Sequence, residues 1–91
     1  MYPYMKLADE TEIVHSHLLE ENGMQFVEIH FERPKPYGFD CARISLPSYE
    51  WLNREGFTDD EINEFENFAA RHAHLIFYYA GIGGVPIAKA V

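Results

Sequence analysis

The dipeptide Asn22-Gly23 constrains the fold of this chain more than any other short segment. A two-residue type I′ turn requires positive φ at both central positions, which Asn and Gly tolerate, and it joins two antiparallel strands. Because side chains alternate between the two faces of a strand, a hairpin around this turn gathers one apolar set on one face. That set is Val14, Leu18, Val27, Ile29 and Phe31. We therefore predict an antiparallel hairpin whose apolar face lies against the core.

Two more strands are expected beside this hairpin. Residues 40–46 alternate between an apolar set and a second set, namely Ala42, Ile44 and Leu46 against Cys41, Arg43 and Ser45. The preceding segment, Arg-Pro-Lys-Pro-Tyr-Gly, is predicted to be a loop because proline cannot donate a ladder hydrogen bond. A short strand over residues 4–7 is expected to pair with the hairpin across residues 8–11. The first half of the chain thus predicts an antiparallel meander of three or four strands.

The second half of the chain begins with the signals of a short helix. Ser48 has a side chain suited to an N-cap, and residues 49–55 follow it before Gly56. Glycine is typical of the position just after a helix. A short helix over residues 49–55 is therefore predicted directly after the meander.

A long helix is predicted from residue 59 to about residue 80. Thr58 and Glu61 have the spacing of a capping box, and Phe57 and Ile62 occupy the two positions of a hydrophobic staple. Gly81 supplies a stop. The apolar stripe at helical spacing is Ile62, Phe65, Ala69, Ile76 and Ala80, with Phe68, Leu75 and Tyr79 on its flank.

These elements predict one small α+β domain. Residues 1–46 form a three- or four-stranded antiparallel β-meander, residues 47–80 form two helices, and residues 81–91 form an apolar, glycine-rich tail. The long C-terminal helix packs on one face of the meander. The short helix comes between the meander and the long helix in the sequence. The other face of the sheet is left open to solvent, as is common for antiparallel sheets.

Four residues on the open face of the predicted hairpin suggest a metal site. They are His15, His17, Glu28 and His30. Imidazole and carboxylate groups bind zinc and other divalent ions, and Cys41 on the next strand would add a thiolate. The alternative is that these are the ordinary polar residues of a wet sheet face, joined in cross-strand pairs. No longer metal-binding signature, such as C-x-x-C or H-E-x-x-H, is present.

The remaining histidines, His72 and His74, do not extend this hypothesis. Residues two positions apart on a helix point in directions that differ by about 200°, so the rings of His72 and His74 cannot chelate one ion. His72 falls within the apolar arc and is expected to be a neutral core residue hydrogen-bonded to backbone.

No catalytic constellation is recognisable in the sequence. Cys41 and a strand histidine would make a dyad, but no helix N-terminus or basic cluster lies beside that thiol to lower its pKa. Residues 81–84, Gly-Ile-Gly-Gly, follow a predicted helix rather than joining a strand to a helix N-terminus, so they do not match a phosphate-binding loop. The chain is therefore expected to be non-enzymatic and to need no cofactor.

Charge and composition narrow the classes of partner. The 91 residues include 15 acidic and 7 basic ones, which gives a formal net charge of -8. The basic residues are scattered singly, which argues against direct binding to nucleic acid. No apolar run reaches the ~18 residues of a membrane-spanning helix. A single cysteine is typical of a reduced, cytoplasmic protein. An acidic surface would suit a basic protein partner.

The distal end of the long helix, with the tail after it, is the predicted contact surface. Its apolar residues are Leu75, Ile76, Phe77, Tyr78, Tyr79, Ile82, Val85 and Ile87. One helix end that overhangs a small sheet is not expected to leave so many apolar side chains in water. A partner protein or a second copy would cover them, unless the tail folds back. Phe77 is expected to be the key contact residue, because its flank lies farthest from the centre of the sheet-facing stripe. Leu19, Met24 and Phe26, beside the turn, form a second apolar patch on the outward sheet face.

The sequence therefore predicts a cytoplasmic, acidic interaction or regulatory module that binds a protein partner and forms a homodimer. An antitoxin-like or inhibitor role toward a basic, nucleic-acid-binding partner would suit the charge. The alternative is a protein that binds zinc or another divalent metal through His15, His17, Glu28 and His30.

Overall fold

A computed structural model describes residues 1–85 and contains six strands and one helix in that range. The elements are β1 (Tyr2–Lys6), β2 (Glu12–His15), β3 (Leu19–Glu21), β4 (Met24–Lys35), β5 (Gly38–Leu46), β6 (Glu50–Glu55) and α1 (Asp59–Ile82). The strands form one antiparallel sheet in the order β1-β2-β4-β5-β6, and β3 also pairs with β4. The predicted α+β class with an antiparallel sheet and a C-terminal helix is confirmed, although the sheet has more strands than expected.

The hairpin at Asn22-Gly23 forms as predicted. Asn22 and Gly23 have φ values of 53° and 79°, as a type I′ turn requires. Beside the turn, Leu19 pairs with Phe26 and Glu21 pairs with Met24, which is the predicted register. Beyond this hairpin β4 continues as the longest strand and pairs along its length with β5.

The register changes by one residue between β3 and β2. Ile13 pairs with Phe31 and His15 pairs with Ile29, so the side of the hairpin that precedes the turn holds one extra residue. Ser16 lies in the irregular stretch, where its N–H donates to the Glu28 carbonyl (2.9 Å) and its hydroxyl accepts from the Glu28 N–H (3.0 Å).

This offset inverts the predicted faces of β2. A shift of one residue moves every side chain of a strand to the other face. Ile13 and His15 are therefore buried in the core, and Val14, which was expected in the core, is only half-buried opposite His30. Leu18 is half-buried as well. The prediction that β2 buries Val14 and exposes His15 is wrong.

The core lies between the sheet and α1 and has the composition predicted for β4, β5 and the helix. Phe31 stacks on Phe65 with ring centroids 4.2 Å apart, which joins the central strand to the helix. The buried apolar residues of the sheet are Ile13, Val27, Ile29, Phe31, Ala42, Ile44 and Leu46. Those of the helix are Ile62, Phe65, Ala69, Ile76 and Ala80, which is the predicted stripe.

The predicted short helix over residues 49–55 is wrong, because this segment is strand β6. Its turn does contain the N-cap-like signal, since the Ser48 hydroxyl accepts from the Glu50 N–H (3.2 Å). Tyr49, however, has a φ of 60°, and the chain then reverses to pair with β5. Trp51 reaches the core side, where its ring lies near Phe31 (6.1 Å) and its indole N–H donates to Glu66 (3.0 Å). Pairing with the edge of β5 outweighs the local helix signal.

The predicted loop between the second and third strands is shorter than expected. β4 runs through Pro34 to Lys35, and β5 begins at Gly38, so that Pro34 pairs with Phe39. β2 stops opposite Glu32, so β4 has a neighbour on only one side beyond that point. A proline is tolerated there because no second ladder requires its N–H.

The start of α1 is fixed by the predicted cap. The Thr58 hydroxyl accepts from the Glu61 N–H (3.1 Å) and the Glu61 carboxylate accepts from the Thr58 N–H (2.9 Å), which confirms the capping box. Phe57 contacts the ring of Phe65, with centroids 5.0 Å apart. At the other end the helix continues past the predicted stop at Gly81 and ends at Ile82, capped by Gly83 in the left-handed conformation.

A charged cluster ties this helix start to the sheet. The Arg33 guanidinium donates to Asp40 (2.8 and 3.0 Å) and to Glu61, and it lies 4.6 Å from the centre of the Phe57 ring. Asp40 is buried and also accepts from Lys35 (2.9 Å).

Within the described part of the chain, no helix is long and apolar enough to cross a membrane.

Candidate functional site

The four residues of the predicted metal site do not come together. His15 is fully buried on the core side, where its Nδ1–H donates to the Ser16 carbonyl (2.8 Å) and its ring lies near Tyr4 (6.2 Å). Glu28 and His30 lie on the opposite face, and their side chains are paired (3.1 Å). His17 is exposed. The one-residue offset between β2 and β3 accounts for this separation, because it places the His15 side chain on the core face of the sheet instead of the open face.

The fifth candidate ligand, Cys41, does not complete a metal site either. Among residues 1–85, no group of three or more His, Cys, Asp or Glu side chains is close enough to hold one metal ion. Burial, together with the charge of Glu32, raises the pKa of the Cys41 thiol. That thiol is therefore protonated at neutral pH, and it has the properties neither of a nucleophile nor of a preformed thiolate ligand.

His72 was expected in the core with a backbone partner, but it is half-buried and its partner is a side chain. The Tyr4 hydroxyl and the His72 Nδ1 are 2.7 Å apart, and the imidazole stacks on Phe68 with centroids 4.1 Å apart. Burial lowers the pKa of His72. A neutral ring can accept a hydrogen bond from the Tyr4 hydroxyl through Nδ1. His74 is exposed. These contacts join β1 to α1 and give His72 a structural role.

The predicted contact residues at the distal end of α1 divide into three groups. Ile76 is buried in the core, and Phe77, Tyr79 and Val85 are half-buried. Strand β1 lies under this half of the helix, because the Tyr4 ring meets both Phe68 and Tyr79. Phe77, the expected key contact residue, therefore packs against the core. Three large apolar side chains remain exposed, namely Leu75, Tyr78 and Ile82, and Ile87 lies outside the described residues.

A groove on the open face of the sheet is a further candidate for a binding site. It lies between the tip of the β3–β4 hairpin and the start of β6, on the side away from α1, and has a volume of about 500 Å³. Ligand sites in proteins commonly span ~300 to 1,000 Å³. Its apolar residues are Met24, Phe26, Pro47 and Leu52, and its carboxylates are Glu21, Glu28 and Glu50. We refer to these seven residues as the open-face groove.

The three carboxylates of the open-face groove differ in their neighbours. Glu28 is partly neutralised, because it accepts from His30 (3.1 Å) and lies 3.8 Å from the Arg43 guanidinium. Glu21 and Glu50 take part in none of the ion pairs formed within residues 1–85. Both are exposed at the edge of an apolar floor. The groove therefore combines apolar area with negative charge that has no partner in this range.

Sequence reasoning found only part of this groove. Met24 and Phe26 were identified as an apolar patch beside the turn, because they alternate with the core residues of β4. Glu50 and Leu52 were assigned to a helix, so their position across the sheet from the hairpin was missed. Tyr49 and Trp51 are aromatic residues separated by the polar Glu50, and this short alternation was the signal that could have placed this segment on a strand.

Comparison with known proteins adds no relative: no protein-family model matches the chain, and neither do curated proteins or solved structures.

Proposed function

We propose that this protein is a small acidic, non-enzymatic interaction module that binds a basic protein partner through the open-face groove. The observation that carries the proposal is the combination of an apolar floor with Glu21 and Glu50 at its edge, neither of which is paired within residues 1–85. A site of this kind favours binding, since its groups are not arranged around a reactive nucleophile. The net charge of -8 supports the same class of partner.

The chemistry of the groove specifies the segment that it would accept. Met24, Phe26 and Leu52 offer apolar area, whose burial stabilises a complex by roughly 25 cal/mol per Å² before the costs of association. The carboxylates discriminate in favour of Lys or Arg on either side of that apolar contact and speed the encounter. The expected ligand is a basic, amphipathic segment with at least one large apolar side chain.

This chemistry suits a role as an inhibitor or antitoxin. Proteins that bind nucleic acid present clustered Lys and Arg side chains to phosphates. An acidic module that covers such a surface would compete with the nucleic acid. The single cysteine supports action in a reducing, cytoplasmic environment. The metal-binding alternative has no comparable support, because His15 lies on the other face of the sheet from His30.

Two synthetic peptides test the proposal directly. Both contain the same Leu and Phe residues, and they differ only in flanking residues, which are lysines in one and glutamates in the other. We expect the lysine peptide to bind, with amide chemical-shift changes concentrated at Glu21, Phe26, Glu50 and Leu52. The double variant Glu21→Lys/Glu50→Lys should lower its affinity by about tenfold, since exposed ion pairs contribute up to about 1 kcal/mol each.

Glu64→Lys is the matched control. Glu64 is also exposed, but it lies on α1, away from the open face. A loss of affinity confined to the double variant supports the groove. The double variant changes the net charge by four and Glu64→Lys changes it by two. A loss of binding free energy in Glu64→Lys that is half that of the double variant would therefore mean that only net charge matters. Equal binding of the two peptides would refute the proposal.

A further inference from the structure

We propose that α1 also carries a self-association surface, on which a second copy of this chain packs against Leu75, Tyr78 and Ile82. We call these three residues the outer stripe. They are 38%, 61% and 56% exposed, respectively, whereas other apolar residues of the same half of the helix, such as Ile76 and Ala80, are buried. This surface is separate from the open-face groove and does not depend on its function.

The spacing of the outer stripe makes it one continuous surface. Positions separated by three and then four residues fall within about 60° on a helix, at 100° per residue. Ile76 represents the core-facing stripe, and its direction differs from that of the outer stripe by about 120°. The three residues also have the spacing of the apolar seam of paired helices. Two such helices related by a two-fold axis would bring the same stripe together from both copies.

The distribution of charge identifies the occupant. All 15 acidic residues of the chain lie at or before Glu66, so the half of α1 that carries the outer stripe has none. From residue 67 to residue 85 the ionisable groups other than tyrosine are Arg71, His72 and His74. Two copies of formal charge -8 repel each other elsewhere, but here they can approach without apposing carboxylates. A basic partner would gain no electrostatic attraction at this surface, which favours a second copy.

The side chain at the centre of the stripe is already oriented. The Tyr78 ring makes an edge contact with Tyr79 (5.4 Å between centroids), and Tyr79 in turn lies near Tyr4 of β1 (6.3 Å). The surface is thus supported from the sheet through aromatic contacts. An ordered ring loses less conformational freedom on association than a free side chain does. This support makes Tyr78, rather than the half-buried Phe77, the residue on which the contact depends.

The experiment measures the mass of the full chain by light scattering coupled to size exclusion, at tens of micromolar protein. We expect twice the chain mass of 10.6 kDa for the wild type, and 10.6 kDa for Tyr78→Glu. Added salt should shift the wild type further toward the dimer. Ile82→Glu should also give the monomer, and circular dichroism should show helix content unchanged in both variants.

Phe39→Glu is the matched control, because Phe39 is 65% exposed and lies on β5 rather than on the helix. It should remain a dimer. A wild-type mass of 10.6 kDa would overturn the proposal and mean that the stripe is covered by the chain's own tail or by another partner. A dimer that survives both Tyr78→Glu and Ile82→Glu would place the contact elsewhere. Peptide binding at the groove should be the same in Tyr78→Glu, which keeps the two proposals separable.

Discussion

At its first turn α1 is joined to the sheet by charged and polar groups, whereas along its last three turns it meets the sheet through aromatic rings. At the start, Arg33 bridges Asp40 and Glu61, and Thr58 caps the backbone. At the distal end, Tyr4 contacts His72 and Tyr79. The charged groups of the first end find their partners within the domain, so that end is closed. The aromatic contacts continue outward from Tyr4 through Tyr79 to Tyr78, which is exposed, so the distal end can extend to a second molecule.

The largest expected effect concerns the closed end. Gly56 has a φ of +88°, and a Cβ added there would overlap the side chain of Asp40. Gly56→Ala should therefore lower the free energy of unfolding by more than about 2 kcal/mol, because the left-handed backbone costs roughly 1 to 2 kcal/mol and Asp40 must also move away from Arg33. Chemical denaturation measures this loss.

Gly23→Ala is the control for the backbone term. Gly23 has a similar φ of +79°, but nothing lies within 4 Å of an added Cβ. Its loss should be the smaller by a clear margin. Equal losses would show that the contact between Gly56 and Asp40 contributes nothing to the closed end.

The next largest effect is that of the helix cap. Thr58→Ala removes the hydroxyl that accepts from the Glu61 N–H, and it should lower the free energy of unfolding by about 1 kcal/mol. Thr58→Ser keeps that acceptor and should retain most of the stability. If the alanine variant were as stable as the serine variant, the closed end would be held by Arg33 and its carboxylates rather than by the cap.

The smallest effect concerns pH. The contributions of the two ends of α1 to the free energy of unfolding should be lost in different pH ranges. At the distal end, burial lowers the pKa of His72 from its usual 6.5, so the unfolded chain takes up the proton first. Stability should then fall as the pH drops below about 6.5. At the closed end, the pKa of Asp40 is lowered by hydrogen bonds from Lys35 and then Arg33, and the pKa of Glu61 by those from Thr58 and then Arg33. Their contribution persists at higher pH and is lost as the pH falls below about 4.5.

Denaturation at a series of pH values separates the two windows. In His72→Gln the free energy of unfolding should fall less steeply just below pH 6.5 than in the wild type. In Arg33→Met it should fall less steeply below pH 4.5. A decline at the higher pH that is unchanged in His72→Gln would exclude His72 as the titrating group of the distal end. A decline at the lower pH that is unchanged in Arg33→Met would likewise exclude the Arg33 cluster.

The sequence predicted those elements that are specified by local chemistry. The Asn22-Gly23 turn, the alternation of β5, and the capping box at Thr58 each depend on residues within a few positions of one another. The periodicity of α1 likewise identified its five buried residues. In these segments the local preference and the final packing agree, so short patterns were sufficient.

The rest depended on contacts between distant segments. The face of β2 is set where Ser16 bonds to Glu28 and admits one extra residue, which alternation alone does not reveal. Residues 50–55 become a strand because the edge of β5 offers backbone partners. The open-face groove depends on the second of these contacts, since it needs β6 opposite the hairpin tip. The four residues of the predicted metal site are separated for the first of these reasons, and part of the groove was missed for the second.

The irregular stretch over residues 16–18 has an evolutionary consequence. It absorbs one residue that a regular hairpin around Asn22-Gly23 would not contain. A chain shorter by one residue at this point would form an uninterrupted hairpin and still direct Ile13 and His15 into the core. A change of length anywhere within β2 would instead exchange its two faces. A deletion within residues 16–18 should therefore be better tolerated than one within β2, and a gap in an alignment of this part of the chain belongs there.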